Sequence, residues 1–331
     1  MNIIKSWKTK MINYFLKFKY LFLPKYDLVF VSEEGGWILE AICKEIDQYC
    51  NCNTYLHYST KNIPKAKSYF FAHYSYFIKA LKNSSYILNS KNLVYYTHPR
   101  DLGLTKEEFI NALNLSTVVF TMNSQAQKQL ISQGLNPTKI CTLVGAADEN
   151  IFIRKPVKKE SRKIIGFCLR FKDSENYKQR KNYDLIIELI KSIDFADIFI
   201  IGKGWQYYDR FQEIKELPHL KHIEIPYSDY PKYYSKMDVF VSVSKLEGGP
   251  IPLIESMMCD VFPVVSKTGF APDIIEHGKN GFLFDVDAPK GEIIDLIKEG
   301  LKKDVKVRET VKHLNWFNFS NTVQRYADLI S

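Results

Sequence analysis

Two glutamates, Glu247 and Glu255, lie eight positions apart in the stretch Val239–Asp285, VFVSVSKLEGGPIPLIESMMCDVFPVVSKTGFAPDIIEHGKNGFLFD. The β-branched run predicts a strand over Val239–Val243, then a loop holding Glu247-Gly248-Gly249, then a helix from Ile251 that carries Glu255. Glycines at a strand-to-helix turn let backbone amides approach a ligand, and a helix amino terminus favours anionic groups. Pro250 and Pro252 have no N–H, which leaves Gly248, Gly249 and Ile251 as donors. With Glu247 in the loop and Glu255 about one turn into the helix, both carboxylates can face one pocket. Carboxylates that accept from neighbouring hydroxyls suit a sugar and a ribose alike. The same pair could instead serve as the acid and nucleophile of a glycosidase.

Candidate cations lie upstream. Arg170 closes the run Gly166-Phe167-Cys168-Leu169-Arg170, and Arg180-Lys181 precedes a helical run from Asn182. Between them the segment KDSENYKQR is long, so either Arg180 or Lys181 could be the second anion contact; Lys181-Asn182 fits better if a helix starts there.

The elements that position these groups alternate. Asp27–Ser32, Asn92–Thr97, Thr117–Met122 and Ile140–Val144 read as strands. Helical stretches run from Gly35-Gly36 through Glu45, from Thr105 and from Ser124. After the charged, Pro-containing stretch 154–163 the alternation restarts, with strands at Ile164–Leu169, Ile198–Ile201, Ile223–Ile225, Val239–Val243 and Phe262–Val265. Helical runs are expected from Asn182, Tyr207, Tyr230, Ile251, Ala271 and Gly291. Strand–helix alternation predicts parallel sheets, hence an α/β chain of two Rossmann-like doubly wound domains facing a cleft. The expected divisions are an amino-terminal domain over 27–153, a linker over 154–163, a second domain over 164–310 and a terminal segment over 311–331. In that last segment Ser320 is a possible helix cap, with Val323, Tyr326 and Ile330 on one face.

The motifs in this order resemble family 4 retaining glycosyltransferases of the GT-B fold, with their Glu-x7-Glu signature. Beside Glu247 and Glu255, Arg170 with Lys181 resembles the family's Arg and Lys pair. Ile201-Gly202-Lys203-Gly204 resembles its next strand-loop, and Gly278-Lys279-Asn280-Gly281-Phe282-Leu283 its late G-x-x-G-x-L turn. Gly35-Gly36 after the first strand and Thr97-His98 after a later one match features of the amino domain. The resemblance is strong over about 140–285 and weaker before it. One departure is the loop after Glu255, which carries Asp260 where the family often has glycine and is one residue longer.

The resemblance implies a metal-independent transfer from a UDP-, GDP- or other nucleotide-diphosphate sugar, without a cofactor, to a glycan or glycolipid. Arg170 and Lys181 would neutralise the diphosphate, while Glu247 would hold sugar hydroxyls and Glu255 the ribose. Ile225 and Tyr227 would flank the base, with Gly202 and Lys203 nearby. His98, Gly35 and Gly36 would face the donor sugar or acceptor from the amino domain, and the last helix would cross back onto that domain. Bacterial surface polysaccharide or lipopolysaccharide assembly is the expected setting. A GT-B phosphorylase, a sugar-nucleotide epimerase and an inactive sugar-nucleotide-binding scaffold subunit remain alternatives.

Composition narrows the classes further. The 331 residues hold 46 Lys and Arg against 37 Asp and Glu, a net charge of +9. Residues 1–26 contribute six lysines and no acid, so the body is nearly balanced, unlike a nucleic-acid-coating protein. Placed on a helix, residues 3–22 gather Trp7, Phe15 and Phe18 on one face with lysines on its shoulders. That pattern predicts a segment lying on an anionic membrane surface, placing the chain peripherally on the cytoplasmic face of the cell membrane. The six cysteines have no metal-knuckle or disulfide-framework spacing and read as reduced thiols.

Overall fold

The structure is a computed structural model that describes residues 24–35, 38–157 and 161–330. Gly36 and nearly all of the basic amino-terminal segment lie outside the described residues. Among the described residues, twelve strands form two six-stranded sheets, parallel throughout. The first sheet has the order β2-β1-β3-β4-β5-β6. It comprises β1 (Tyr26–Val31), β2 (Thr54–His57), β3 (Ala66–Phe71), β4 (Lys91–Tyr96), β5 (Val118–Thr121) and β6 (Ile140–Thr142). The second has the order β12-β11-β10-β7-β8-β9. It comprises β7 (Ile164–Cys168), β8 (Asp197–Ile201), β9 (Leu220–Ile223), β10 (Val239–Ser242), β11 (Phe262–Ser266) and β12 (Phe282–Phe284).

Leu28, Val29, Phe30 and Val31 are all fully buried, as are Ile165, Phe167, Ile198, Ile200 and Ile201. Consecutive burial means that both faces of each sheet are covered, which is why these strands read as continuous apolar runs rather than alternations. This is the doubly wound two-domain architecture expected from the sequence.

Several elements differ from the sequence reading. β2, β3 and β12 had no counterpart in it: β2 is a half-exposed edge strand, and β12 is only three residues long. The third strand of the second domain's edge is Leu220–Ile223 rather than Ile223–Ile225, because Pro226 begins a turn there. The helix expected from Tyr207 is two 3-10 turns, Trp205–Tyr207 and Asp209–Glu213. Buried Trp205, Tyr208 and Phe211 recur every third residue, the period at which 3-10 side chains eclipse. A helix, Glu175–Lys181, also occupies the segment expected to be a gap, so Lys181 ends one helix rather than starting another. Asn182, at φ 56°, breaks that helix from the next, Tyr183–Ser192.

The chain ends on the first domain. Helix Trp316–Tyr326 is capped by Asn315, whose side chain accepts from Asn318 N–H, and not by Ser320. The Ser320 hydroxyl instead donates to the Ile46 carbonyl at 3.0 Å, and Gln324 Nε2 donates to Tyr49 O at 3.1 Å. Phe319 meets Tyr95 edge-on at 5.6 Å. Among the described residues, no helix is long and apolar enough to cross a membrane.

Asp260, in the loop after Glu255, adopts φ 57°. Its carboxylate accepts Arg308 N–H at 3.0 Å, and its carbonyl accepts from Arg154 at 3.0 Å. Hydrogen bonds on both sides hold a left-handed conformation that an aspartate adopts more readily than most residues.

Candidate active site

A cleft of about 720 Å³ opens between the two sheets, at the carboxyl ends of β7 and β10. That is where ligands enter doubly wound folds. The second domain lines it with Phe167 to Leu169, with Arg180 and Lys181, and with the loop Glu247–Pro252; the first contributes Ile38, Tyr76, Thr97, His98 and Arg100 among others.

The loop after β10 is strapped from several directions. Lys245 N–H donates to the Arg180 carbonyl at 2.8 Å, and Glu247 N–H to Thr268 Oγ1 at 3.1 Å. At Gly248 a Cβ would come 2.0 Å from the Thr97 carbonyl oxygen of the other domain. Only glycine permits that approach. Gly249 and Ile251 line the same wall of the cleft.

Within the cleft, Lys181 Nζ is ion-paired with Glu247 Oε1, the two side chains being 15% and 8% exposed. Beside this pair the Arg180 guanidinium lies over the Tyr177 ring, 4.9 Å from its centroid. Arg180 Nε is buried without a hydrogen-bond partner among the described residues. A buried donor left unmade is expensive, so this nitrogen marks a place where an acceptor belongs.

His98 faces these groups from the end of β4. Thr97 Oγ1 lies 3.0 Å from its Nδ1, and Arg100 Nε makes a long 3.5 Å contact with its Nε2. Burial, then the Arg180 and Arg100 charges, push the imidazole down to about 4, so it is neutral at pH 7. Behind it, buried His73 caps helix Tyr74–Asn83 by accepting Ser75 N–H at Nδ1.

Glu255 is not part of the cleft wall. Its side chain is buried (2% exposed) and receives the hydroxyls of Tyr227 at Oε1 and Tyr234 at Oε2, the latter at 3.0 Å. Burial raises its carboxyl to about 7, and the two hydroxyls pull the other way. Tyr227 thus keeps company with Glu255, the residue as a whole being 55% exposed, while Ile225 packs against the core.

Arg170 lies between the lining residues Leu169 and Lys172, but its exposed side chain is not part of the wall. Its backbone is fixed instead: Tyr183 Oη donates to its carbonyl at 2.7 Å. Gly202 and Lys203 buttress the same turn from outside the cleft. A Cβ on Gly202, at φ 146°, would meet the Leu169 carbonyl at 2.2 Å, and Phe171 N–H donates to Lys203 O at 2.9 Å. Gly35, at φ 131°, donates its N–H to Glu40 Oε2 at 3.1 Å. The sequence reading passed over Lys172, Tyr177, Tyr76 and Arg100, which line the cleft without standing in any motif.

Two all-parallel α/β domains facing a cleft, with the second supplying a glycine-rich strand-to-helix loop and paired cations, define the GT-B class. The chain belongs to the group 1 glycosyl transferases, whose family model matches residues 148–314. N-acetyl-alpha-D-glucosaminyl L-malate synthase of Bacillus anthracis is 23% identical over 216 residues, 59% of this chain and 54% of that protein. The match thus spans about half the length of this curated relative. The fold is that of Anabaena Alr3699/HepE, solved in complex with UDP-glucose: TM-score 0.73 at 13% identity, covering 92% of this chain and 100% of that one. It is also that of the lipopolysaccharide outer core galactosyltransferase WaaB: TM-score 0.69 at 13% identity, covering 91% and 98%.

Proposed function

We propose that this protein is a retaining glycosyltransferase that moves a sugar from a nucleotide-diphosphate sugar to a glycan or glycolipid in bacterial surface polysaccharide assembly. The observation that carries the reading is the convergence of Arg180, Lys181 and Glu247 from the second domain on His98 from the first, in one cleft. Negative charge grows on a nucleoside diphosphate as its sugar bond breaks, and placed cations stabilise it where it develops. Arg180, with a buried unpartnered Nε, and Lys181 are the principal contacts for that diphosphate. The exposed Arg170 joins them by rotating its side chain inward. These cations supply the positive charge without a metal.

Glu247 exchanges Lys181 for sugar hydroxyls as the donor seats, and Glu255 exchanges the Tyr227 hydroxyl for ribose. Neutral His98 accepts a hydrogen bond from the donor sugar or the acceptor. Acceptor attack on the face the phosphate leaves, with the phosphate taking the acceptor's proton, retains configuration without a protein nucleophile. Residues 1–22 hold the protein on an anionic membrane surface. Loss of flotation with anionic liposomes on their deletion tests that part; unchanged flotation refutes it.

A donor screen by mass spectrometry tests the activity. The wild type should transfer sugar from at least one nucleotide-diphosphate sugar, and Glu247→Ala and Arg170→Ala should lose turnover. Normal transfer by both variants would overturn the site assignment. Binding of every donor without turnover would favour a scaffold subunit.

A further inference from the structure

The two domains touch at a polar junction just outside the cleft. Asn123 ends the loop after β5 and is buried (5% exposed). Its Oδ1 accepts Ala126 N–H at 2.7 Å, capping helix Ser124–Ser132. Its Nδ2 donates to the Gly248 carbonyl of the other domain at 2.8 Å. These two bonds fix the amide: only oxygen toward Ala126 and nitrogen toward Gly248 satisfies both.

One residue on, Ser124 N–H donates to Asp273 Oδ2 at 2.8 Å, and its hydroxyl donates to Oδ1. Asp273 belongs to the second domain, in the short helix Ala271–Ile274. Its carboxylate therefore meets the amino terminus of a helix in the first domain, where negative charge is favoured. The junction holds a fully connected set of polar partners, two from each side.

We propose that Asn123 is a positioning residue for sugar transfer. Its amide anchors the Gly248 carbonyl and, with the Asp273 carboxylate on Ser124, clasps the two domains so that Glu247 and Arg180 face His98. This rests on the reading of the cleft as the donor site. Glu247 precedes the anchored glycine directly, so a released Gly248 lets the sugar-binding carboxylate drift. Holding reacting groups in place is worth more than any single added contact.

A capping role alone and a clasp make opposite predictions for Asn123→Asp. Aspartate caps a helix as well as asparagine does. It also puts an oxygen where the amide nitrogen met the Gly248 carbonyl, so two acceptors oppose each other. The test uses the full chain as wild type, Asn123→Asp and Asp273→Ala. It measures kcat and KM with a donor found by the screen, the affinity for UDP or GDP, melting temperature and the radius of gyration in solution scattering. For Asn123→Asp, nucleotide affinity should stay within about twofold while kcat falls about tenfold or more, and melting should drop because two acceptors now oppose each other at a buried position. Both variants should expand in scattering.

Wild-type kcat and an unchanged radius for Asn123→Asp would overturn the proposal. So would a rise in KM with kcat preserved, which would make Asn123 a donor contact. If the wild type neither binds nucleotide nor transfers sugar, the functional reading fails, and scattering still decides the clasp. In that case expansion of both variants supports it and unchanged radii overturn it.

Discussion

Lys181 and Glu247, 66 residues apart, form an ion pair within the cleft. Each group is thereby satisfied by the other, and in the proposed reading a donor trades its own charges and hydroxyls for theirs. Removing one partner of a pair this sheltered leaves the other uncompensated. Glu247→Gln should therefore free the lysine charge, tightening UDP or GDP binding about tenfold while sugar transfer falls about a hundredfold. Calorimetry beside initial-rate kinetics checks both; weaker nucleotide binding in Glu247→Gln would contradict the exchange.

Arg180 should matter more than its motif position suggests. Arg180→Ala removes the buried, unpartnered Nε and the guanidinium over Tyr177. We expect nucleotide-diphosphate affinity to fall about tenfold to a hundredfold, the range of a charge-assisted bond, with nucleoside affinity unchanged. Arg180→Lys keeps the charge and loses the planar fork, so it should recover only part of the affinity.

The Glu255 carboxyl, raised to about 7 by burial, gives the site a pH dependence. Its folded value lies above its unfolded one, so the neutral form is favoured in the fold. That stability is fully present below about 4.5 and is lost as pH rises through 7, about 3 kcal/mol for a rise from 4.5 to about 7. Urea denaturation should show the wild type losing ground to Glu255→Gln between pH 4.5 and pH 8. Nucleotide affinity should move the opposite way, strengthening as the carboxylate forms, and Glu255→Gln should flatten that trend.

Gly248 tests the closeness of the domains. A Cβ there would sit 2.0 Å from the Thr97 carbonyl oxygen. Gly248→Ala should push the domains apart and lower transfer at least about tenfold. The second domain should keep its helicity by circular dichroism, since the clash is with the first domain.

Much of the architecture was legible from local pattern. Runs such as Leu28–Val31 and Ile198–Ile201 are buried on both faces, so their continuous apolar character announces a parallel strand. The loop Glu247-Gly248-Gly249 between a β-branched run and a helix could be read in the same way. Edge strand β2 could not: its half-exposed residues bury too little apolar surface to leave a pattern. The terminal helix was legible only in part: Val323 is buried as expected, but Tyr326 is exposed and Ile330 lies beyond the helix. Its cap is Asn315 rather than Ser320, whose hydroxyl turns to Ile46 of the first domain instead.

The sequence by itself determined the alternation of strands and helices, the glycine-rich turn and the supply of cations and carboxylates near it. Those depend on neighbours a few residues away. Tertiary structure alone decided that Arg180 rather than Arg170 lines the cleft, and that Glu255 sits beneath Tyr227 and Tyr234. It alone set Asn123 against Gly248, 125 residues further on. The physical reason is common to all three. A side chain's partner is fixed by where two separately folded sheets come to rest against each other, and no local period encodes that distance.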